Sequence, residues 1–340
     1  MPIISICVPT YNRAKLLSEL LDSILDQENV DDVEIVISDD ASTDDTMSIA
    51  DSYLFRFKHY KFIAQPINLG MDGNFLAVVA AATSPYIWLM GDDDRLEPGS
   101  IRRLLDAIEL WPDAVGFTLG VIDYDVTMST AIGLRATPTT QLMTGSRAVF
   151  SSIADLLGFM SALVVKRDLW IRELNDPKIS SINNYYIQVI ILGRIIGENG
   201  QWGVIQPPCV GFRAGNDQLQ ARYGWLERLK IDAKAYDQIA QILFADSPQT
   251  RNIMRRRIFD THIMARIMNA KTTAEPTVGI MPAALFLART YGKIPAYWTI
   301  ALPLLLTPNF LVRFFRGFYR TYFKSSGRNR ASLNLGARSR

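Results

Sequence analysis

Three carboxylates in a row, Asp92-Asp93-Asp94, follow a short apolar run from Tyr86 to Met90, and a pair, Asp39-Asp40, follows another from Val33 to Ser38. Consecutive carboxylates repel one another unless a cation lies between them. Hard divalent ions take oxygen ligands, and Mg2+ in particular combines one or two carboxylates with substrate phosphates. The triplet therefore points to a metal–diphosphate site, where Mn2+ or Mg2+ would neutralise charge building on a departing phosphate. The competing reading is a solvated acidic turn that caps the helix beginning near Pro98. Asp39 and Asp40 have two readings as well. A carboxylate there can accept hydrogen bonds from a nucleobase or from ribose hydroxyls, or it can cap the helix after Thr43. Ser42, Thr43 and Asp44 already serve that cap, which favours the first reading. Pro9-Thr10, after a third apolar run (Ile3 to Val8), either brings backbone groups against a base or only ends a strand.

Composition narrows the alternatives. The 340 residues are 49% hydrophobic and 21% charged, enough for a large core and more than one ordinary domain. Only two histidines (His59, His262) and two cysteines (Cys7, Cys209) are present, and they are scattered. A zinc centre wants about three or four such ligands close together, and no nucleophile signature accompanies either histidine. One possible cysteine pair fits a reducing compartment, and the opening apolar run lacks the basic n-region of a secretory signal. Cys7, in mid-strand, is expected in the core.

The carboxylates need a frame to bring them together. Apolar runs at Ile3–Val8, Val33–Ser38, Tyr60–Ala64 and Tyr86–Met90 alternate with helical spacing, as in Leu16, Leu17, Leu20, Leu21, Ile24 and Leu25, in Thr46–Leu54, in Gly70–Ala82, and in Ile101, Leu104, Leu105 and Ile108. This alternation predicts right-handed crossovers and a parallel sheet with helices on both faces. Such sheets bind ligands beyond the carboxyl ends of their strands, where Thr10-Tyr11-Asn12, Asp39-Asp40 and the Asp triplet fall. Further strands are expected at Ala114–Val126, Ser161–Val165 and Val204–Phe212, a helix at Asn183–Ile196, and long helices over 218–270.

These motifs, in this order and spacing, resemble family 2 glycosyltransferases of the GT-A fold: Ser5 to Arg13, Glu34 to Asp44, Asn68-Leu69-Gly70 and Gly91 to Asp94. The match covers about residues 3–110, with weaker correspondences to about 217. Tyr86 to Leu96 is especially similar to abequosyltransferase-type members that build bacterial O-antigen units. The resemblance implies an α/β fold, a Rossmann-like, mostly parallel sheet with helices on both faces, followed by a helical C-terminal region. It also implies a nucleotide-sugar donor, Mn2+ or Mg2+, and inversion at the anomeric carbon. By the same resemblance Thr10 and Asp39 contact the nucleobase, with Pro9, Asn12, Asp40, Asn68 and Gly70 around the nucleotide. Asp92 approaches the ribose or metal, Asp93 is the principal metal ligand and Asp94 its helper, so that Asp92 and Asp93 are the catalytic pair. Arg213, with Gly215-Asn216, resembles a loop that closes on the diphosphate; a surface arginine in a turn is the alternative. Two departures stand out. Gly91 replaces the first Asp of the usual Asp-x-Asp-Asp pattern, and Ser181 to Tyr186 lacks the carboxylate that serves relatives as general base. Asp176 is the nearest acid upstream, with Asp155 and Glu198 further off, so the base stays unassigned.

The C-terminal part has a different character. Residues 276–340 contain no acid and carry +10, which against +2 for the whole chain leaves −8 for residues 1–275. Ile294 to Val312 is uncharged but interrupted by Pro295, Pro303 and Pro308, which argues against a straight span. Arg313, Arg316, Arg320 and Lys324, interleaved with Phe314, Phe315, Phe318, Tyr319, Tyr322 and Phe323, suit an anionic lipid surface through residues 290–325; a helix packed on the acidic body is the alternative. The aromatics argue against nucleic acid. The chain is thus expected to divide into a nucleotide-sugar-binding catalytic domain (1–217), a helical region (218–275) and a membrane-associating tail (276–340). A peripheral or monotopic place on the cytoplasmic face of the inner membrane, and a polyprenyl-diphosphate-linked saccharide as acceptor, follow from the tail and the resemblance together. A sugar-nucleotide pyrophosphorylase and a binding protein that has lost turnover are the rival readings.

Overall fold

The computed structural model describes residues 1–180, 182, 184–272 and 278–322. Ser181, Asn183, Phe323 and Lys324, which figure in the sequence reading, lie outside the described residues.

Two compact units are present, residues 1–218 with 235–257, and residues 219–234 with those from 258 onward. Residues 235–257 thus group with the sheet, and 219–234 with the C-terminal helices. The first unit begins β1 (Ile4–Thr10), α1 (Ala14–Leu25), β2 (Val33–Asp39), α2 (Thr46–Ser52), β3 (Tyr60–Ala64), α3 (Gly70–Ala81), β4 (Tyr86–Leu89), β5 (Arg95–Leu96), α4 (Ser100–Leu110) and β6 (Ala114–Tyr124). It continues with β7 (Ala131–Leu134), β8 (Gln141–Thr144), α5 (Ser146–Ile153), β9 (Leu163–Lys166), α6 (Arg167–Leu174), α7 (Pro177–Ser180), α8 (Ile187–Ile196) and β10 (Gln201–Arg213).

The strands form one mixed sheet in the order β3-β2-β1-β4-β9-β6-β10-β5, with β7 against β6, β8 against β10, and helices on both faces. The first four strands pair in parallel. In β1, Ile4, Ile6, Cys7 and Val8 are all fully buried, and burial on both faces is what removes polar alternation; β3, at the sheet edge, is half-exposed. Beyond β4 the sheet turns antiparallel through β9, which runs between β4 and β6. A four-residue strand carries no marker of its direction, so this reversal is not legible in the apolar runs alone. β6 and β10 resume parallel pairing, with register shifts around Pro208. Pro207 and Pro208 have no N–H for the ladder, so the strand bulges there. Gly120 faces the bulge, where a Cβ would stand 2.2 Å from the Gln206 carbonyl oxygen. On α1, Leu17, Leu20, Leu21 and Ile24 turn inward, as their spacing requires.

The second unit is helical. α9 (Gln218–Leu243) is broken at Gly224, whose left-handed φ of 77° no helix interior tolerates. The part of α9 after residue 234 and nearly all of α10 (Pro248–Ile258) belong to the first unit; α11 (Met264–Thr272), α12 (Ile280–Tyr291), α13 (Leu302–Leu306) and α14 (Asn309–Tyr322) follow in the second. Inside this unit the buried Asp232 pairs with Arg228 and Arg266, and the Tyr297 hydroxyl donates to the Ala284 carbonyl. Among the described residues no single helix is long and apolar enough to cross a membrane. Tyr297–Leu306 and Asn309–Phe315 meet at 111°, the chain turning at Thr307-Pro308. Trp298, Ile300, Leu306, Phe310, Phe314 and Phe315 are each more than half exposed.

Candidate active site

Parallel pairing places the ends of β1, β2 and β4 on one rim, with Thr10 in register with Asp39. The chain turns sharply just beyond: Asn12 (φ 52°) and Ala41 (φ 60°) both adopt the left-handed conformation. Asn12 accepts from the Thr43 N–H (2.7 Å) and donates its own N–H to Ser42 Oγ (2.8 Å), locking the two loops together. Pro9 occupies the next-to-last pair of the β1–β2 ladder, opposite Ser38.

Asp39 and Asp40 are both buried, and both hold loops in place. Asp39 accepts from the Ser42 N–H and hydroxyl. Asp40 accepts from the Leu69 and Gly70 N–H groups at 2.6 and 3.1 Å, while Asn68 Nδ2 donates to the Asp40 carbonyl. Asp40 is therefore a helix cap, but for α3 across the rim and not for α2, whose first turn is served by Asp44. Counting caps along the sequence could not reveal this, since the capped helix begins thirty residues later. Gly70 has φ 76°, a conformation that favours glycine at the tight entry to α3. Asn74, buried on α3, donates to the Ser38 and Thr10 carbonyls and so clips the helix to both strand ends.

The three consecutive acids point to three different sets of partners. Asp92 accepts from the Thr10 hydroxyl (2.8 Å) and from Arg13 Nη1 (2.9 Å). Asp93 also reaches Arg13 Nη1 at 2.9 Å and accepts from Asn216 Nδ2 at 2.7 Å. Asp94 turns away, accepting from the Ser161 hydroxyl and the Arg213 N–H. Burial pushes the Asp92 carboxyl up to about 6, against the pull of Arg13, and the Asp94 carboxyl up to about 8, with the Asp93 charge adding to it. Arg213 is itself buried: it donates to the Asp93 and Val126 carbonyls and pairs with Glu19. It braces the triplet from behind. Gly91 is also accounted for, since a Cβ there would stand 3.2 Å from Asp94 Oδ2 and Ser161 Oγ and 3.3 Å from Asp93 Oδ1. An aspartate at this position would crowd both carboxylates.

Arg13 is the residue the sequence reading passed over. Its Nη1 lies 2.9 Å from one oxygen each of Asp92 and Asp93, so these two carboxylates converge on a position already held by a cation. That donor set, two carboxylate oxygens from one strand end, fits a hard divalent ion completed by diphosphate oxygens. Asp94, whose oxygens are engaged by Ser161 and Arg213, does not join them. No group of three or more His, Cys, Asp or Glu side chains among the described residues could enclose a metal unaided.

Two of the three acids considered as general base are engaged by arginines. Asp176 pairs with Arg194 and accepts from the Lys178 N–H, which holds its carboxyl below the usual range. Asp155 pairs with Arg257, and Glu198 is exposed in the turn after α8. A different acid stands at the rim. Asp72, in the first turn of α3, accepts from the backbone N–H groups of Tyr185 (3.4 Å) and Asn184, just before α8. Tyr185 has φ 63°, which is strained for a residue with a bulky side chain. No cation among the described residues pairs with Asp72, and burial pushes its carboxyl up.

Residues 5–162 match the family model described as glycosyl transferase family 2. The chain is 30% identical over 279 residues to the abequosyltransferase RfbV of Salmonella typhimurium, covering 77% of this chain and 80% of that one. It is 35% identical over 106 residues to the GalNAc(5)-diNAcBac-PP-undecaprenol beta-1,3-glucosyltransferase of Campylobacter jejuni, covering 31% and 34%. Among solved structures, S. aureus TarS 1–349 in complex with UDP-GlcNAc superimposes with a TM-score of 0.59 at 16% identity, over 87% of this chain and 84% of that one. The mannosyltransferase PcManGT of Pyrobaculum calidifontis, in complex with GDP-Man and Mn2+, gives 0.52 at 16% identity, over 94% and 87%. At such identities these two likenesses bear on the fold alone.

Proposed function

The chain belongs to glycosyl transferase family 2 and is a glycosyltransferase that acts on a nucleotide sugar; from that premise we propose that it transfers the sugar, with inversion and with a divalent cation, to a lipid-linked saccharide of bacterial surface polysaccharide. The observation that carries the metal-dependent reading is the convergence of Asp92 and Asp93 on one cation position. Asp92 and Asp93 would hold Mn2+ or Mg2+, which when bound supplies positive charge to the leaving diphosphate. Thr10 orients Asp92 for this, and Asn216 orients Asp93. The nucleotide lies along the rim formed by Pro9, Thr10, Asn12, Asp39 and the Asn68–Gly70 turn, with Asp40 fixing that turn and Arg213 fixing the triplet.

In the transfer itself, an acceptor hydroxyl oxygen bonds to the anomeric carbon as the bond from that carbon to the diphosphate oxygen breaks, and the hydroxyl proton needs a base. Asp72 is the acid best suited to receive it. No cation among the described residues pairs with it, and burial raises its proton affinity, as the role of a base requires. The nucleoside diphosphate then leaves with the electron pair of the broken bond.

A thermal-shift experiment with UDP, GDP, CDP and dTDP, each with and without Mn2+, tests the donor and metal reading. A ligand bound by the native state raises the midpoint by mass action. At least one diphosphate is expected to give a shift that grows with Mn2+; four flat results would overturn the reading.

The lipid-side partner is an anionic membrane surface, placing the enzyme as a peripheral or monotopic protein on the cytoplasmic face of the inner membrane. The exposed Phe310, Phe314 and Phe315, beside the exposed Arg313 on the bent helical pair, support this. Truncation would be a poor test, since Tyr297, Ala301 and Leu305 are buried in the unit's own core. Combining Arg313→Glu with Phe314→Ser and Phe315→Ser should lower co-sedimentation with phosphatidylglycerol vesicles by about tenfold or more, as each basic residue near such a surface contributes about 1 kcal/mol. Unchanged partitioning would rule out this anchor.

A further inference from the structure

Arg13 is held as few arginines at a cleft are. Its side chain is 11% exposed, and Nη1 bridges Asp92 Oδ1 and Asp93 Oδ2 at 2.9 Å each. The remaining fork meets Gln218, whose amide oxygen, turned toward it, accepts from Nη2 and Nε at 2.8 and 2.6 Å. The Arg13 N–H is tied separately to Thr46 Oγ1, at the start of α2. The backbone is thus anchored independently of the contacts that hold the side chain.

The guanidinium and a divalent ion would use the same two carboxylate oxygens, and as like charges they exclude one another. A guanidinium displaced from there needs another anion. A nucleoside diphosphate offers paired oxygens that suit its planar fork. We propose that Arg13 is the exchangeable counter-ion of the site: it fills the Asp92–Asp93 position while no donor is present, and it yields that position to a divalent ion by moving onto the incoming diphosphate. The inference rests on the metal-dependent reading above and adds an order to it. Metal alone binds weakly, because it must expel a resident charge into water. Metal and nucleotide strengthen each other, because the nucleotide receives the expelled charge. Such coupling is reciprocal, so each ligand must tighten the other by the same factor. For the apo protein, the same contact also holds Asp92 and Asp93 in place for the ion.

Mn2+ itself is the probe, with free ion followed by electron paramagnetic resonance on the full chain, alone and with UDP or GDP. The wild type should bind Mn2+ weakly without nucleotide and about tenfold or more tighter with it. Arg13→Gln should bind Mn2+ about tenfold tighter than wild type without nucleotide, and most of the nucleotide's effect should vanish. Gln218→Ala leaves both carboxylates and the charge intact but frees half the fork, so it should shift Mn2+ affinity in the same direction by about threefold. It serves as the readout should Arg13→Gln fail to fold. Arg13→Lys, which keeps the charge, should retain the synergy. If the wild type binds Mn2+ with nucleotide while neither Arg13→Gln nor Gln218→Ala binds it more tightly in the apo state, the exchange is overturned and the metal site stands. If no protein binds Mn2+ although nucleotide raises the thermal midpoint, the metal-dependent reading fails and the exchange fails with it.

Discussion

Replacing Asp93 with alanine is expected to lower sugar transfer by about a thousandfold, the scale on which a single preorganised electrostatic partner of a transition state acts. The side chain does little for the fold. It is 18% exposed, and its partners, Arg13 and Asn216, lie in the cleft and not in the core. The variant should therefore melt close to wild type while losing Mn2+ binding and turnover together. The two neighbouring acids provide the contrast. Asp92 accepts from the Thr10 hydroxyl in a buried setting, so Asp92→Ala leaves polar groups unpaired and lowers stability as well as rate. Asp94 is buried against Ser161 and the Arg213 backbone, and burial pushes its carboxyl up to about 8. Asp94→Asn keeps one of the two acceptor oxygens and the shape of the side chain, and should retain activity within about tenfold. Rates of donor hydrolysis and transfer with Mn2+, read beside the melting midpoints, separate the three. More than a tenth of wild-type turnover in Asp93→Ala would refute the assignment of that residue.

The contrast also marks how far the sequence could be read. Strands buried on both faces write themselves as unbroken apolar runs, so β1, β2, β4 and the rim at their ends were legible, while the half-exposed edge strand β3 followed from its place in the alternation. So was the placement of Cys7 in the core. What remained hidden depends on chain segments that meet only in the fold. Ser161 reaches Asp94 across 67 residues, Asn216 reaches Asp93 across 123, and Arg13 reaches Asp92 across 79. In sequence the three acids are alike; in the structure one faces a hydroxyl and a guanidinium, one a guanidinium and an amide, and one turns toward β9 and β10. The Asp40 cap on α3 and the reversal of direction at β9 were missed for the same reason. Arg13 closes the first motif, directly after Thr10-Tyr11-Asn12, but nothing in its place along the chain reveals that it lies between two carboxylates.

Asp72→Asn is expected to lower transfer to a hydroxyl acceptor by about a hundredfold to ten-thousandfold, the usual contribution of a positioned general base. The amide keeps an oxygen for the Tyr185 and Asn184 N–H groups, so the strained turn before α8 should survive and the thermal shift with nucleotide and Mn2+ should stay unchanged. What is lost is the capacity to take a proton. A nucleophile that arrives already ionised, such as azide, has no proton to give up and should be spared most of the defect. In the wild type the acid limb of the pH–rate profile should lie above the ordinary aspartate value of about 4, because burial favours the protonated carboxyl and activity falls as pH drops through that raised value. A purely structural role for Asp72 would slow hydroxyl and azide acceptors alike and would weaken nucleotide binding. Turnover within threefold of wild type would remove Asp72 from the mechanism. A wild-type protein that binds nucleotide and metal yet turns over no donor in a broad panel would favour a binding protein built on a transferase fold.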